Sequence, residues 1–369
     1  MSNTPIALYV HWPFCLSKCP YCDFNSHVRE SYDESSWKNA LVTELQRASE
    51  LLGARQLTTI FFGGGTPSLM QASTVAEIIN HAIKLFGVKN TIEITLEANP
   101  NSVEVQKFQD LAAAGVNRIS IGVQSLRPER LLELGRKHSV VEAIKAIETA
   151  VKFFKRASFD LIYATPGQTL DQWSNELAQA IAFGTEHLSL YQLTIEPNTA
   201  FERLHKRGEL VLPVDDLAAD MYEFTNNFCG ANGLQSYEVS NYAKKGAECL
   251  HNLNYWRYGE YIGVGPGAHG RLLINGKRLA TRQYRSPERW LQEFDRIEEA
   301  LELSENEQEQ ERVLMGLRTV EGIIWNKPIT TKITALIKGG FLTHSNHQLQ
   351  ATPQGRLALQ AVLRYGFMD

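Results

Sequence analysis

The sequence predicts an α/β fold built on a parallel sheet, and three observations carry that prediction. Strand-like runs alternate six times with helix-like stretches in the first 200 or so of the 369 residues, the pattern of a sheet with right-handed helical crossovers. Each run is rich in Val, Ile, Tyr, Phe or Thr. The runs end in polar or glycine-rich residues, where parallel α/β sheets place their ligands.

In chain order the strands are IALYVHW (6–12), TTIFFGG (58–64), TIEITLEA (91–98), RISIGVQ (118–124), FDLIYAT (159–165) and HLSLYQLTI (187–195). Between them SSWKNALVTELQRASELL (35–52) places Trp37, Leu41, Leu45 and Leu52 near helical spacing. VEVQKFQDLAAAGV (103–116) reads as a second helix, stopped at Gly115. The strand ends carry His11, Gly63 to Thr66, Glu97 with Asn99, Gln124, and Thr165 with Pro166. A partial barrel of six units and a doubly wound sheet fit this pattern equally well. Beyond residue 200 the pattern changes. Residues 211–234 read as a long helix, and 235–284 are aromatic and glycine-rich, with Asn275-Gly276 as a hairpin turn. The acidic run from Glu302 begins a helix. The last stretch then reads helix, strand, turn, strand, helix, a small winged-helix-like module. The expected division is a core over 1–200, an extension over 201–295 and a small α+β domain over 296–369.

The composition, 43% hydrophobic and 21% charged, is that of an ordinary globular protein. A net charge of -4 without a basic run gives no sign of a nucleic-acid partner. The opening MSNTPIALYVHWPF has no basic n-region, and no apolar run approaches the ~20 residues of a spanning helix, so a cytoplasmic location is expected.

Three of the five cysteines, Cys15, Cys19 and Cys22, fall within FCLSKCPYC. Such clustering is not a disulfide framework. Thiolates suit zinc or an iron–sulfur cluster. Structural zinc requires a fourth ligand, and His11 and His27 are close enough in sequence to supply one. A four-iron cluster has four corners, so three cysteines leave one iron open to an outside ligand. A redox thiol is a further alternative. Three inert core cysteines fit poorly beside Pro20, Lys18 and Ser17, which read as loop.

The C-x3-C-x2-C spacing near the start of an α/β chain, with Tyr21 before its last cysteine, resembles the radical S-adenosylmethionine (SAM) superfamily. FFGGGTPS (61–68) and the leader LYVHWPFC resemble its oxygen-independent coproporphyrinogen III oxidase branch. The resemblance covers nearly the whole chain. It implies a partial (β/α)6 barrel, a [4Fe-4S] cluster on Cys15, Cys19 and Cys22, and SAM as chelator of the open iron. By position it implies SAM contacts at Tyr9, Gly64, Gly65, Thr66, Glu97, Gln124, Arg136 and Asp160. Of these, Arg136 would pair with the SAM carboxylate, while Gln124 and Asp160 would meet the ribose. Taken singly, each has an ordinary reading as a strand-end polar group or a solvated charge.

Two features separate members of the branch. The oxidase carries a further cysteine where this chain has Phe24, and it has a longer N-terminal extension. The sequence is more similar to the shorter haem-chaperone relatives. In those relatives a motif matching HNLNYW (251–256) is associated with haem, which implies haem binding by His251, Tyr255 and Trp256. A neutral imidazole is a good axial ligand, and the aromatics would cover the macrocycle. A packed core loop is the alternative, and Cys249 is a second candidate ligand. His138, His187, His205 and His269 lie in no comparable context and read as ordinary. The resemblance implies haem as cargo, respiratory haem proteins as acceptors, dimerisation, and contact with the cytoplasmic membrane face. The rival is radical decarboxylation of coproporphyrinogen III propionates; a zinc-bound interaction module is more distant. GPGAHG (265–270) runs into a hairpin rather than a helix, so it reads as a structural or pocket-lining turn and not a dinucleotide site.

Overall fold

A computed structural model describes residues 4–368. Six parallel strands, β1 (Thr4–Trp12), β2 (Arg55–Gly64), β3 (Val88–Ala98), β4 (Arg118–Gln124), β5 (Arg156–Tyr163) and β6 (His187–Gln192), lie side by side in chain order. A doubly wound sheet would reverse its order at a switch point. This one does not, so the pattern resolves to the open, barrel-type arrangement.

The sheet extends at both edges. β7 (Gln235–Ser236) and β8 (Asn241–Ala243) continue it antiparallel beyond β6. On the other side β9 (Tyr261–Val264) pairs parallel with β1. β10 (His269–Ile274), β11 (Lys277–Gln283) and β12 (Ile297–Glu302) then follow antiparallel. Asn275 and Gly276, with φ of 52° and 78°, close the β10–β11 hairpin, the geometry that Asn-Gly favours.

Period-two alternation gives the strands two unlike faces. Ile94, Leu96, Ile119, Ile121, Phe159, Leu161, Leu188 and Leu190 belong to the main apolar core. The opposite face carries Glu93, Glu97, Arg118, Ser120, Ser158, Asp160, His187 and Ser189. These join one another or the chain that fills the concave side: Ser120 with Asp160, Ser158 with His187, Ser189 with Asn241. A concave face lined with polar groups pays a desolvation penalty unless every group is partnered, and it is this face that holds the site.

Several elements differ from the sequence reading. The helix expected over 103–116 is two short ones, Ser102–Gln106 and Phe108–Ala113. The break falls at Lys107, whose ammonium reaches the carbonyls of Ser68 and Leu69. β5 stops at Tyr163 because Ala164 turns to a φ of 55°. The helix expected over 211–234 spans Asp215–Ala231, since Pro213 holds the chain extended just before it. At the C-terminus a second core, including Leu317, Ile333, Leu349 and Val362, forms under a three-stranded antiparallel sheet. Its helix–strand–turn–strand–helix order is the expected one. β12 lies on the main sheet, across the boundary expected at residue 296.

Candidate functional site

The cysteine loop is fastened from several sides. Gly135, with a φ of 66°, lies so close to Pro20 that a Cβ there would sit 2.6 Å from its Cδ. The Pro20 carbonyl accepts from Phe201 N. Asn25 Nδ2 donates to the carbonyls of Pro266 (2.8 Å) and Arg285 (3.0 Å). His11 Nε2 donates to the Asn25 carbonyl at 2.9 Å, which leaves Nδ1 to accept from the Tyr9 hydroxyl at 3.0 Å. Both ring nitrogens of His11 are thus engaged, and the zinc reading loses that ligand. Among the described residues, no three His, Cys, Asp or Glu side chains are placed to hold a single metal ion.

Cys15, Cys19 and Cys22 are free and half-buried. Thr66 Oγ1 donates to Cys15 Sγ at 3.4 Å, and Arg136 Nη1 to Cys19 Sγ at 3.2 Å. Arg136 Nη2 also donates to Asn99 Oδ1 (2.6 Å) and the Gly122 carbonyl (2.8 Å), while its Nε is buried without a partner. Burial raises the Cys15 and Cys22 thiols above their usual range, so ligation there releases protons. The loop fits a thiolate-held cluster: three thiols on one anchored turn, with an arginine beside one of them to offset their charge.

The three glycines of the second motif answer to packing. A Cβ on Gly64, whose φ is 110°, would lie 2.5 Å from the His11 ring, and one on Gly65 would lie 2.6 Å from the Phe14 carbonyl. Close approach within the chain requires them, and Gly64 is left facing a cavity. GPGAHG behaves similarly: a Cβ on Gly265 would meet the His11 carbonyl at 2.3 Å. It is the expected turn.

That cavity, of about 590 Å³, runs from Tyr9, Gly64 and Glu97 past Asp23 and Phe24 to Tyr255, Trp256 and Tyr258. Its size is in the small-molecule range. Glu97 is pushed up to about 8 by burial and then by the Asp160 charge, and burial pushes Asp160 itself up to about 6. Two carboxylates held in this way favour a cation, which the sulfonium of SAM would supply. Gln124 stands apart from the cavity. It takes a φ of 69° at the end of β4, a strained conformation for a residue with a side chain.

The helix Leu250–Trp256 packs on the concave face. Its first turn is held by Glu93, which accepts from Leu250 N (3.1 Å) and His251 N (3.0 Å) and pairs with Arg156 at 2.5 Å. His251 is fully buried. Its Nδ1 meets Thr59 Oγ1 at 2.8 Å, its Nε2 meets the Tyr255 hydroxyl at 2.7 Å, and its ring stacks on Phe61. Burial, then the charge of Arg118, lowers it to about 3, so the ring is neutral. Tyr255 and Trp256 line the cavity and His251 stands behind them. Cys249 is buried against Glu93, its thiol pushed up to about 12 by burial.

Sequence reasoning missed Glu93, Arg118 and the far wall of the cavity, formed by His269, Arg271, Arg282, Arg285 and Glu311. Alternation in TIEITLEA puts Glu93 on the face of Glu97, a signal available in the sequence. The far wall depends on the β9–β1 pairing, which local patterning does not encode.

Residues 9–179 match the model of the radical SAM superfamily. The heme chaperone HemW of Escherichia coli is 39% identical over 97% of this chain and 97% of that protein. A mouse protein, radical S-adenosyl methionine domain-containing protein 1, mitochondrial, is 39% identical over 87% of this chain and 75% of its own length. The solved structure of the E. coli coproporphyrinogen III oxidase HemN superposes with a TM-score of 0.81 at 20% identity, covering 99% of this chain and 90% of that one. That likeness shows the fold.

Proposed function

We propose, for a chain that belongs to the radical SAM superfamily and within it to the HemW family, that it is a haem chaperone: it binds haem in the cavity beside the cluster loop and delivers it to acceptor proteins such as respiratory enzymes. The family implies a [4Fe-4S] cluster and SAM, and the fit of the loop and of the paired carboxylates supports both. Cys15, Cys19 and Cys22 would hold the cluster, which when bound supplies one-electron chemistry to SAM. Tyr9, Gly64, Gly65, Thr66, Glu97, Gln124, Arg136 and Asp160 would surround SAM. Tyr9, Gly64 and Glu97 line the cavity, and Thr66 and Arg136 lie beside the thiols, positions from which they would do so. Dimerisation and contact with the membrane face belong to the same proposal. No helix among the described residues is long and apolar enough to cross a membrane.

The observation that carries the reading is the continuity of one cavity from the strand ends at Gly64 and Glu97 to the aromatic wall of the HNLNYW helix. Tyr255 and Trp256 offer flat apolar surface to a macrocycle. Tyr255 also carries a hydroxyl, a known class of haem-iron ligand, which is hydrogen-bonded to His251 Nε2 at 2.7 Å. His251 would then act on haem through Tyr255.

Anaerobic haem titration of the cluster-loaded chain, followed by absorbance, tests this. Saturable one-to-one binding, weakened in Trp256→Ala and spectrally shifted in Tyr255→Phe, is expected. A wild type without saturable binding overturns the reading, and turnover of coproporphyrinogen III by that protein would establish the decarboxylase instead.

A further inference from the structure

The far wall of the cavity gathers three arginines and a histidine on and just beyond one hairpin. His269 on β10 stands directly opposite Arg282 on β11. Arg271 is two residues further along β10 on the same face, and Arg285 follows just beyond β11; all four line the cavity. Arg271 and Arg282, diagonal neighbours on that face, repel one another. The wall's own carboxylates answer this only in part. Glu311 takes Arg271 at 2.7 Å. Glu298 and Glu299 reach Arg282 only at 3.4 and 3.3 Å, and Arg282 Nε is buried without a hydrogen-bond partner. Arg285 is exposed, and no carboxylate among the described residues lies within ion-pair reach of it. After burial, the charges of Arg271, Arg282 and Arg285 are what hold His269 below its ordinary value, which marks the local field as positive.

The cavity therefore has two chemically distinct ends. One is aromatic, with Tyr255, Trp256 and Tyr258. The other presents guanidinium groups with donors to spare: Arg282 has its buried Nε unpartnered, and Arg285 is exposed. A ligand that satisfies both is a flat apolar ring system bearing carboxylates on one edge. We infer that Arg282 and Arg285, with His269 between the strands, form the carboxylate-binding end of this cavity and orient a tetrapyrrole by its propionate side chains. This rests on the haem reading above and extends it by fixing which edge of the macrocycle faces the hairpin. The Arg fork matches a carboxylate bidentately, which gives orientation as well as affinity. The end is also mechanically tied to the cluster loop: the Arg285 carbonyl accepts from Asn25, three residues after Cys22.

The test compares haem with haem dimethyl ester, whose propionates carry no charge. Both are titrated anaerobically into the full cluster-loaded chain, as wild type, as the Arg282→Ala/Arg285→Ala double variant, and as Arg285→Lys. The wild type is expected to bind haem at least about tenfold more tightly than the ester, the range of a charge-assisted hydrogen bond. The double variant should bind both ligands equally, at the wild type's affinity for the ester. Arg285→Lys should keep part of the preference, because charge survives but the fork does not. The ester titration doubles as the folding control, since a misfolded variant would lose the ester too; in that event Arg285→Lys and Arg285→Ala, which change only an exposed side chain, decide the matter. Equal binding of haem and ester by the wild type overturns the inference while leaving haem binding standing. Binding of neither ligand overturns both.

Discussion

Glu97 makes the protein's stability fall as pH rises, and Glu97→Gln should abolish most of that slope. In the folded chain Glu97 is pushed from 4.5 to about 8, by burial first and the Asp160 charge second. In the unfolded chain it titrates near 4.3. A carboxyl group raised on folding binds its proton more tightly in the native state. Its contribution is fully present below about pH 4, declines between about pH 4.5 and 8, and is gone above. Each factor of ten in acidity is about 1.4 kcal/mol, which sets an upper bound of about 5 kcal/mol over the full window. Glu97 is half-buried at the cavity wall, and water there reduces the figure to about 2–4 kcal/mol. Glutamine keeps the shape and acceptance from the Gly64 amide but has no proton to lose. Urea unfolding of the metal-free, reduced chain at half-unit steps from pH 5 to 9 measures the effect. Wild type and variant should agree near pH 5 and diverge upward, with the variant more stable by that amount at pH 9. Asp160→Asn should move the wild-type slope to lower pH without removing it, because burial is the larger cause. Parallel stability curves for wild type and Glu97→Gln would refute the assignment of a Glu97 held protonated in the folded chain.

The same carboxyl couples pH to cation binding: SAM affinity, measured calorimetrically in two buffers of different ionisation enthalpy, should rise between pH 6 and 8 with net proton release. Cys19→Ala should leave the chain folded by circular dichroism and abolish stoichiometric iron and sulfide; about four irons retained per chain would be the contrary result. Glu93→Ala removes the carboxylate that holds Arg156 and the first turn of the Leu250–Trp256 helix, and should cost about 3–5 kcal/mol in denaturant unfolding, with amide exchange at residues 250–256 accelerating first. Gly65→Ala places a Cβ 2.6 Å from the backbone carbonyl of Phe14, which cannot yield as a side chain tip would; lowered thermal stability together with loss of cluster loading is expected.

Much of the parallel sheet was legible because its strands obey period two and its helix stops are marked by glycine. The motif residues were legible because Cys15, Cys19, Cys22 and Gly63 to Gly65 are local patterns. The placement of His251 was not. Its sequence neighbours leave a haem ligand and a packed core residue both open, whereas its environment is set by Thr59, Phe61 and Glu93, well over a hundred residues away along the chain. Gln124 shows the same limit: its strand-end position could be read, but its positive φ falls where the register between β4 and β5 shifts, which local patterning does not encode. The cationic wall was least legible of all. His269 and Arg282 become neighbours only through the hairpin register, and they face Glu97 only because β9 returns to pair with β1.

That return of the chain bears on how the two ends of the cavity communicate. β9 and the turn after it pass directly beneath the cysteine loop, close enough that Gly265 must lack a side chain to clear His11. Asn25 then bridges loop and turn with two hydrogen bonds from one amide nitrogen. Any displacement of the loop on cluster loading would have few ways to dissipate, since Pro20 is braced on Gly135 and Cys19 on Arg136. The bridge would carry it to the carbonyl of Arg285 and so to the arginine end. Asn25→Ala removes both hydrogen bonds and leaves the thiols, the aromatic wall and the arginine side chains in place. If the two ends are coupled through this amide, haem affinity should differ between cluster-loaded and metal-free protein in the wild type, and the difference should shrink in Asn25→Ala with the metal-free affinity unchanged. A difference of the same size in both proteins would show that the ends communicate by another route.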